Sequence, residues 1–337
     1  MSAKFISIGI PSYNRPAELL RLLQSIDYFD DDLEVVICED NSPQRKSIGE
    51  TVRQFQAGKK LALTYYENAV NLGYDRNIRE LALRATGEYL IYMGDDDRFV
   101  PGALLQFIHF LRTHRELGYV LKSHQLLHAD GMIEPFRYYR ETCFFSPGPE
   151  TVKELFRKSV FISGFTIKRE YLAPLMTDAF DGTLLMQLYF LAEIALKHKC
   201  AYFDVPLTQQ DEGGIPMFGM ADAEKKLYTP GSITVDNSLA FLRGFFKITG
   251  FLDRKYQLHM TTSIRCDMAK YSYPSLAIQR PRGLKIFFQY IRQMNQLGFN
   301  CSIYYYIYII GLTVLGKRFC DWLIVVLKKK LGATPRL

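Results

Sequence analysis

Six cysteines lie scattered through the 337 residues, at positions 38, 143, 200, 266, 301 and 320, and no two of them form a CxxC pair. That spacing argues against a zinc ribbon or a disulfide framework and fits a reducing compartment. His109, His114, His124 and His128 lack zinc-ligand spacing with a carboxylate partner. No GxGxxG follows the first apolar run, and neither GxxxxGKS nor GxxxxGKT occurs anywhere, which excludes a dinucleotide fingerprint and a P-loop. No apolar run approaches the roughly 20 residues that a spanning helix needs. The opening Met1–Ile10 stretch is too short in apolar residues for a signal peptide and leads into a strand, so the expected location is cytoplasmic. A disordered composition is also missing: with 48% hydrophobic residues the chain can bury one large core or two modest ones.

What the chain does have is Glu88-Tyr-Leu-Ile-Tyr-Met-Gly-Asp-Asp-Asp-Arg98, an apolar run that stops in three consecutive carboxylates. Tyr89 to Met93 has the length and the β-branched and aromatic content of a buried strand, and Gly94 marks its end. Adjacent carboxylates repel unless a cation is supplied, and hard oxygen ligands at this spacing suit Mg²⁺ or Mn²⁺ accompanying a diphosphate. A solvated acidic turn is the plain alternative. Charge is also concentrated elsewhere. From Arg280 onward ten Lys and Arg residues stand against Asp321 alone, a local charge of +9; because the whole chain carries +7, residues 1–279 carry −2. The asymmetry points to an anionic partner for the tail.

Taken in order, Lys4–Ile10 alternates as a strand and Pro11-Ser-Tyr-Asn-Arg-Pro16 breaks it before a helix over Ala17–Ile26, with Pro16 suited to its first turn. A second strand, Leu33–Cys38, ends in Glu39-Asp40-Asn41-Ser42. A third, Leu61–Tyr66, leads through Asn71-Leu-Gly-Tyr-Asp-Arg-Asn77 into a helix with Ile78, Leu81, Ala82 and Ala85 on its apolar face. Strands alternating with helices imply right-handed crossovers and a mostly parallel sheet, and such sheets bind ligands outside the carboxyl ends of their strands. Four polar loops converge on that edge. With no glycine-rich phosphate loop available, phosphates fall to metal and side chains.

The order Ser7-Ile-Gly-Ile-Pro-Ser-Tyr-Asn-Arg15, Glu39-Asp40-Asn41-Ser42, Asn71-Leu-Gly-Tyr-Asp-Arg-Asn77, Thr86-Gly-Glu-Tyr-Leu90 and Gly94-Asp-Asp-Asp-Arg-Phe-Val-Pro101 resembles the family 2 glycosyltransferases of GT-A fold. It looks closest to their bacterial surface-polysaccharide branch, the O-antigen abequosyltransferases among them. The resemblance is strong over roughly the first third and fades through residue 215. It implies an α/β GT-A nucleotide-binding fold, a mostly parallel central sheet with helices on both faces, followed by a C-terminal helical region. It further implies that Pro11, Tyr13 and Asn14 flank the nucleotide base, that Asp40 bonds the base's polar edge, and that Asn71, Arg76, Asp95 and Asp96 lie at the donor. Asp95 and Asp97 would hold Mg²⁺ or Mn²⁺ against its diphosphate. Read from the residues alone, Tyr13 could equally pack at a strand end, Asp40 cap a turn and Arg76 sit on a helix surface.

The acceptor half is less legible. Phe161–Ile167 reads as a strand, and Asp178-Ala-Phe-Asp-Gly-Thr183 precedes a helix over Leu184–His198. Asp181 is the candidate for the general base that inverting members of the family place hereabouts, with a helix cap as the alternative. Glu193 reads as a polar-face residue. Asp211-Glu212-Gly213-Gly214 follows a strand over Ala201–Leu207 as a loop able to close over the donor, although Gln209 and Gln210 stand where related proteins carry a basic residue. Beyond residue 230 the stretches are helical and rich in Phe, Tyr and Leu. Ile303–Gly316 is apolar yet short, followed by Lys317-Arg318, Phe319–Leu327 and Lys328-Lys-Lys330. That pattern suits helices at the headgroup level of an anionic membrane surface, with a packed subdomain or a homo-oligomer contact as the alternative. No nucleic-acid motif accompanies the basic residues.

The expected organisation is a catalytic domain over residues 1–225, divided into a nucleotide-binding half (1–100) and an acceptor half (101–225), and a membrane-associating region over 226–337. The expected activity is inverting, metal-assisted transfer of a hexosyl or deoxyhexosyl group from a UDP-, GDP-, CDP- or dTDP-linked donor to a lipid-linked glycan. An inactive GT-A domain retained for binding or assembly, and a sugar nucleotidyltransferase, are the other classes left open. The second usually carries a glycine-rich, Lys- or Arg-bearing loop after the first strand, which this chain lacks.

Overall fold

The computed structural model describes residues 4–58, 61–214, 217–220 and 224–331. The chain divides into two compact units, Met1–Lys226 and Leu227–Leu337. Unit 1 begins with β1 (Ile6–Ser12), α1 (Pro16–Gln24), β2 (Leu33–Glu39), α2 (Arg45–Ala57), β3 (Leu63–Glu67), α3 (Tyr74–Arg84), β4 (Tyr89–Tyr92), β5 (Arg98–Phe99) and α4 (Ala103–Thr113). It continues with β6 (Leu117–Leu127), β7 (Ile133–Phe136), β8 (Cys143–Phe145), α5 (Pro149–Leu155), β9 (Phe165–Lys168), α6 (Met186–Lys197) and β10 (Lys199–Asp211).

These elements build one ten-stranded sheet in the order β3-β2-β1-β4-β9-β6-β10-β5, with β7 on β6 and β8 on β10. The pairs β2–β3, β1–β2 and β1–β4 are parallel, as the βαβ spacing predicts, and β6–β10 is parallel too. Between these parallel sets β9 runs antiparallel to both β4 and β6. The sheet is therefore mixed. Sequence spacing could not show this, because β9 enters between strands that precede it by some 40 and 70 residues.

The central strands are apolar almost throughout because helices cover both faces of the sheet. Every residue of β4 is buried, and Ile6, Ile8 and Ile10 of β1 pack with Leu19, Leu22 and Leu23 of α1. Pro16 occupies the first turn of α1, where its missing N–H costs nothing. Helix α6 is buried on all sides from Met186 to Ala195, so it has no polar face. Glu193 is accordingly buried rather than solvated, with Lys197 Nζ 3.1 Å from its carboxylate.

Several bounds differ from the sequence reading. The segment Phe161–Gly164 is a loop, and the strand begins only at Phe165, because Gly164 takes a left-handed φ of +80°. A side chain there would be strained and would also meet the stem of Lys122. Strand β10 runs on to Asp211, leaving Glu212–Gly214 as the loop. Its register against β6 shifts around Pro206, which has no N–H to give to the ladder.

Unit 2 is helical: α7 (Val235–Tyr256), α8 (Met260–Lys270), α9 (Tyr273–Gln279), α10 (Leu284–Gln296), α11 (Ile303–Val314) and α12 (Gly316–Leu331). Thr234 caps α7 by accepting from Asn237 N at 3.0 Å. Leu239, Phe245, Ile248, Leu252, Ile264, Leu276, Phe287 and Met294 form its interior. Among the described residues no helix is long and apolar enough to cross a membrane.

Candidate active site

The carboxyl ends of β1, β2 and β4 and the loop between β3 and α3 meet at one edge of the sheet. At its centre lie Asp95, Asp96 and Asp97. Asp95 is 4% exposed and accepts from Tyr13 N (2.9 Å) and Arg15 Nη1 (3.0 Å). The same Arg15 nitrogen reaches Asp96 at 2.8 Å. Asp97, 5% exposed, accepts from Ser163 Oγ, and Gly94 N donates to that hydroxyl at 3.0 Å. Burial pushes the carboxyls of Asp95 and Asp97 up to about 7, against the pull of Arg15 on the first and of Ser163 and Lys122 on the second. Burial also pushes the Lys122 ammonium down to about 7, with Asp97 opposing. Asp96 is the open member of the triplet, its side chain one-third exposed.

The loops around this triplet are held by their own polar groups. Pro11 is half-buried and pairs in register with Cys38 of β2. Asn14 has φ +61°, and its Oδ1 and carbonyl accept from Gln44 N and Gln44 Nε2, both at 3.2 Å. Glu39, fully buried, accepts from Asn41 N, Ser42 N and Arg45 Nε.

Asp40 is turned inward. Its Oδ1 accepts from Asn68 Nδ2 (2.9 Å) and Leu72 N (2.8 Å), and its Oδ2 from Gly73 N (2.9 Å). Asn71 Nδ2 donates to the Asp40 carbonyl at 2.8 Å, while Asn71 Oδ1 is buried without a partner among the described residues. The partners of the Asp40 carboxylate therefore lie between Asn68 and Gly73, in the loop that leads into α3, where the sequence reading expects a base edge.

Asp181 sits in a cationic clamp. Arg79 binds it through both terminal nitrogens, with Nη2–Oδ2 at 3.1 Å, and Arg76 Nε stands 3.2 Å from Oδ2. Arg76, half-exposed on α3, is thus brought to Asp181. The start of α6 is capped from another element: Asp75, 2% exposed, accepts from Leu184 N (2.8 Å) and Met186 N (2.9 Å), and burial pushes its carboxyl up to about 7. Leu184 is held at φ +61°, a strained backbone for a residue with a side chain. Glu224, also buried, accepts from Tyr74 N and Gly219 N.

On the far side the Glu212–Gly214 loop approaches the triplet, with Asp96 Oδ2 3.8 Å from where a Gly214 Cβ would stand. His128 anchors this loop: its two ring nitrogens lie 3.2 Å from Glu134 and 3.3 Å from Glu212. Sequence reading singles out the carboxylates but misses Arg15, Ser163 and Lys122, which compensate them. Only Arg15 carried a signal, as the cation in the first polar loop.

A divalent cation is compatible with this donor set. Three consecutive carboxylates face one permanent cation, Arg15, and a lysine, Lys122, that burial pushes down to about 7, so a further positive charge would be stabilised. Among the described residues no three His, Cys, Asp or Glu side chains converge as a ready-made cage. Mg²⁺ and Mn²⁺ sites of the nucleotide type use one or two carboxylates and take their other ligands from phosphate and water.

Comparison with known proteins assigns this architecture. Residues 7–139 match the sequence model of glycosyl transferase family 2. That match covers less than half of the chain, and the fold is GT-A. Abequosyltransferase RfbV of Salmonella typhimurium is 32% identical over 113 residues, covering 33% of this chain and 34% of that protein. An uncharacterized glycosyltransferase of Haemophilus influenzae is 26% identical over 116 residues, 34% of this chain and 37% of its own length. The match thus spans about a third of each curated relative. Among solved structures, S. aureus TarS 1-349 in complex with UDP-GlcNAc superposes with a TM-score of 0.59 at 15% identity, over 86% of this chain and 79% of that one. The mannosyltransferase PcManGT from Pyrobaculum calidifontis, in complex with GDP-Man and Mn²⁺, gives 0.51 at 15% identity over 92% and 86%.

Proposed function

We propose that the protein is a glycosyltransferase that moves a sugar from a nucleotide-sugar donor to a lipid-linked glycan during bacterial surface-polysaccharide synthesis. The observation that carries this reading is the Asp95–Asp97 triplet, closing β4 at the loop-lined edge of a family 2 domain, with Arg15 across two of its members. Pro11, Tyr13, Asn14 and Asn71 border the same edge and would enclose the nucleotide. The names of the relatives support the class: one is an abequosyltransferase, and two structural neighbours hold UDP-GlcNAc and GDP-Man.

Mg²⁺ or Mn²⁺ would be held by Asp96, whose oxygens are the most accessible, with Asp95 and Asp97 beside it. Bound there, the ion would offset negative charge on the departing nucleoside diphosphate. Ser163 and Lys122 fix Asp97 in place, and Arg15 draws Asp95 and Asp96 together. Displacement by an acceptor hydroxyl from the opposite face of the sugar would invert the anomeric centre. Asp181 acts in this reading as a positioning residue that ties α3 to the turn before α6.

The second half of the reading concerns unit 2. Along α11, Ile303, Ile307, Ile310 and Val314 recur at helical spacing and are 68%, 54%, 63% and 74% exposed, whereas Tyr305 and Leu312 are buried. On α12, Phe319 and Trp322 are exposed as well, next to Lys317 and Arg318. An apolar stripe flanked by cations, in a segment carrying +9, matches an anionic bilayer surface. We therefore place the enzyme peripherally at the cytoplasmic face of the membrane, where a lipid-linked acceptor would be presented. Incubation with UDP-, GDP-, CDP- and dTDP-sugars and Mn²⁺ tests the proposal; release of nucleoside diphosphate from at least one supports it, and inertness toward all of them overturns it.

A further inference from the structure

Next to Asp97 stands a group of rings that the donor site does not use. Ser163, which donates to Asp97, ends a loop that begins at Phe161. The Phe161 ring centroid lies 4.1 Å from Lys122 Nζ and 4.8 Å from the His124 ring. His124 in turn stacks on Phe136 with centroids 5.0 Å apart and an interplanar angle of 1°, and Tyr138 lies 6.3 Å from the same imidazole. The alternation of β6 puts Lys122 and His124 on one face of the sheet; β7 supplies Phe136, the segment after it Tyr138, and the loop before β9 Phe161.

Two features set this cluster apart from core. His124, Phe136, Tyr138 and Phe161 are each only half-buried, whereas the rings of the hydrophobic interior, such as Phe107 and Phe165, are 0–1% exposed. His124 Nδ1 is also buried with no hydrogen-bond partner among the described residues, so the ring's own neighbours do not satisfy it. Burial and the neighbouring Lys122 push the imidazole down to about 2, so it stays uncharged and available as a neutral donor or acceptor.

Resting on the glycosyltransferase reading, we infer that His124, Phe136, Tyr138 and Phe161 form the subsite for the acceptor, a platform that stacks against the apolar C–H face of a pyranose ring beside Asp97. Ring faces carry the negative part of the aromatic quadrupole, and the axial hydrogens of a pyranose carry partial positive charge, so the two are complementary. A mostly aromatic surface with one or two polar atoms is the usual lining of such a site.

Saturation-transfer NMR tests this with the full chain, Mg²⁺ and each of UDP, GDP, CDP and dTDP in turn, using methyl α-D-mannopyranoside, methyl β-D-galactopyranoside and methyl α-L-rhamnopyranoside as probes. Irradiating aromatic protons should saturate the ring hydrogens of at least one probe. Phe161→Ala and the conservative Phe136→Leu should each reduce that signal by about fivefold. Nucleotide affinity by calorimetry should change less than about twofold in Phe136→Leu, whose ring stacks on His124 and not on Lys122 or the carboxylates. Nucleotide binding with no saturated probe, or with saturation unchanged in both variants, overturns the subsite while leaving the donor reading intact. Failure of the wild-type chain to bind any of UDP, GDP, CDP and dTDP overturns both.

Discussion

Replacing Asp40 by Ala separates a base-reading carboxylate from a loop-holding one. The side chain is 5% exposed and receives three hydrogen bonds, from Asn68 Nδ2, Leu72 N and Gly73 N. Bonds to an ionised group contribute roughly 1.5–3 kcal/mol each, so the gross loss is about 4–9 kcal/mol. Part of this is offset, because burial raises the Asp40 pKa above 3.8 and the ionised form is correspondingly costly to keep. Its sign follows from linkage: a carboxyl with a raised folded pKa loses stability as pH rises through its titration range, and alanine removes that loss. Weighing the two leaves a net destabilisation of about 3 kcal/mol, or roughly 6–12 °C in Tm for a unit of this size. Thermal denaturation followed by circular dichroism gives the first number. Hydrogen exchange at the Leu72 and Gly73 amides gives the second, and both should lose protection. A variant that melts within about 1 °C of the parent yet loses nucleotide affinity would refute the loop-holding argument and return Asp40 to the base.

Asp181→Asn should lower stability by about 1–2 kcal/mol through loss of the Arg79 and Arg76 pairs while leaving transfer within about tenfold; a fall in kcat of a thousandfold or more with stability unchanged would identify it as the general base. His128 contacts should make the Glu212–Gly214 loop pH-sensitive. Hydrogen bonding, first to Glu134 and then to Glu212, raises the imidazole above 6.5, so the anchor is complete below that value and is lost as pH rises through the higher folded one. Proteolysis of the loop should therefore quicken with pH in the parent and show little pH dependence in His128→Phe. For unit 2, the chain should sediment with anionic vesicles at low salt and release as salt rises, since exposed charges are screened over about 10 Å at 0.1 M; Ile307→Glu with Ile310→Glu should abolish sedimentation, and unchanged sedimentation would contradict a membrane role for that stripe.

How much of this was readable from sequence depends on the range of the interactions. Strands β1, β2 and β4 announce themselves because each is an apolar run closed by Pro, Gly or acidic residues. The Asp95–Asp97 triplet is visible for the same reason. Its partners are not: Arg15 lies 80 residues from Asp95 and Ser163 lies 66 from Asp97, with no local pattern to link them. The insertion of β9 between β4 and β6 is likewise a tertiary choice, made possible by Gly164. Side-chain direction was the other blind spot. A loop carboxylate can face a ligand or its own scaffold, and the contacts of Asp40 with Gly73 N and of Asp181 with Arg79 have no local sequence signal. Glu193 was misjudged because α6 is apolar enough to be enclosed on every side, which leaves its one acid in the interior paired with Lys197.

The central claim is a metal-assisted nucleotide-sugar site at the end of β4, and the most direct test is donor turnover in the parent and in Asp96→Ala. With Mn²⁺ and the four nucleotide-sugar classes, the parent should release nucleoside diphosphate from at least one donor, and chelation or Asp96→Ala should reduce that release by at least about a hundredfold. Release that persists at the parental rate in Asp96→Ala and in the presence of chelator would contradict the account.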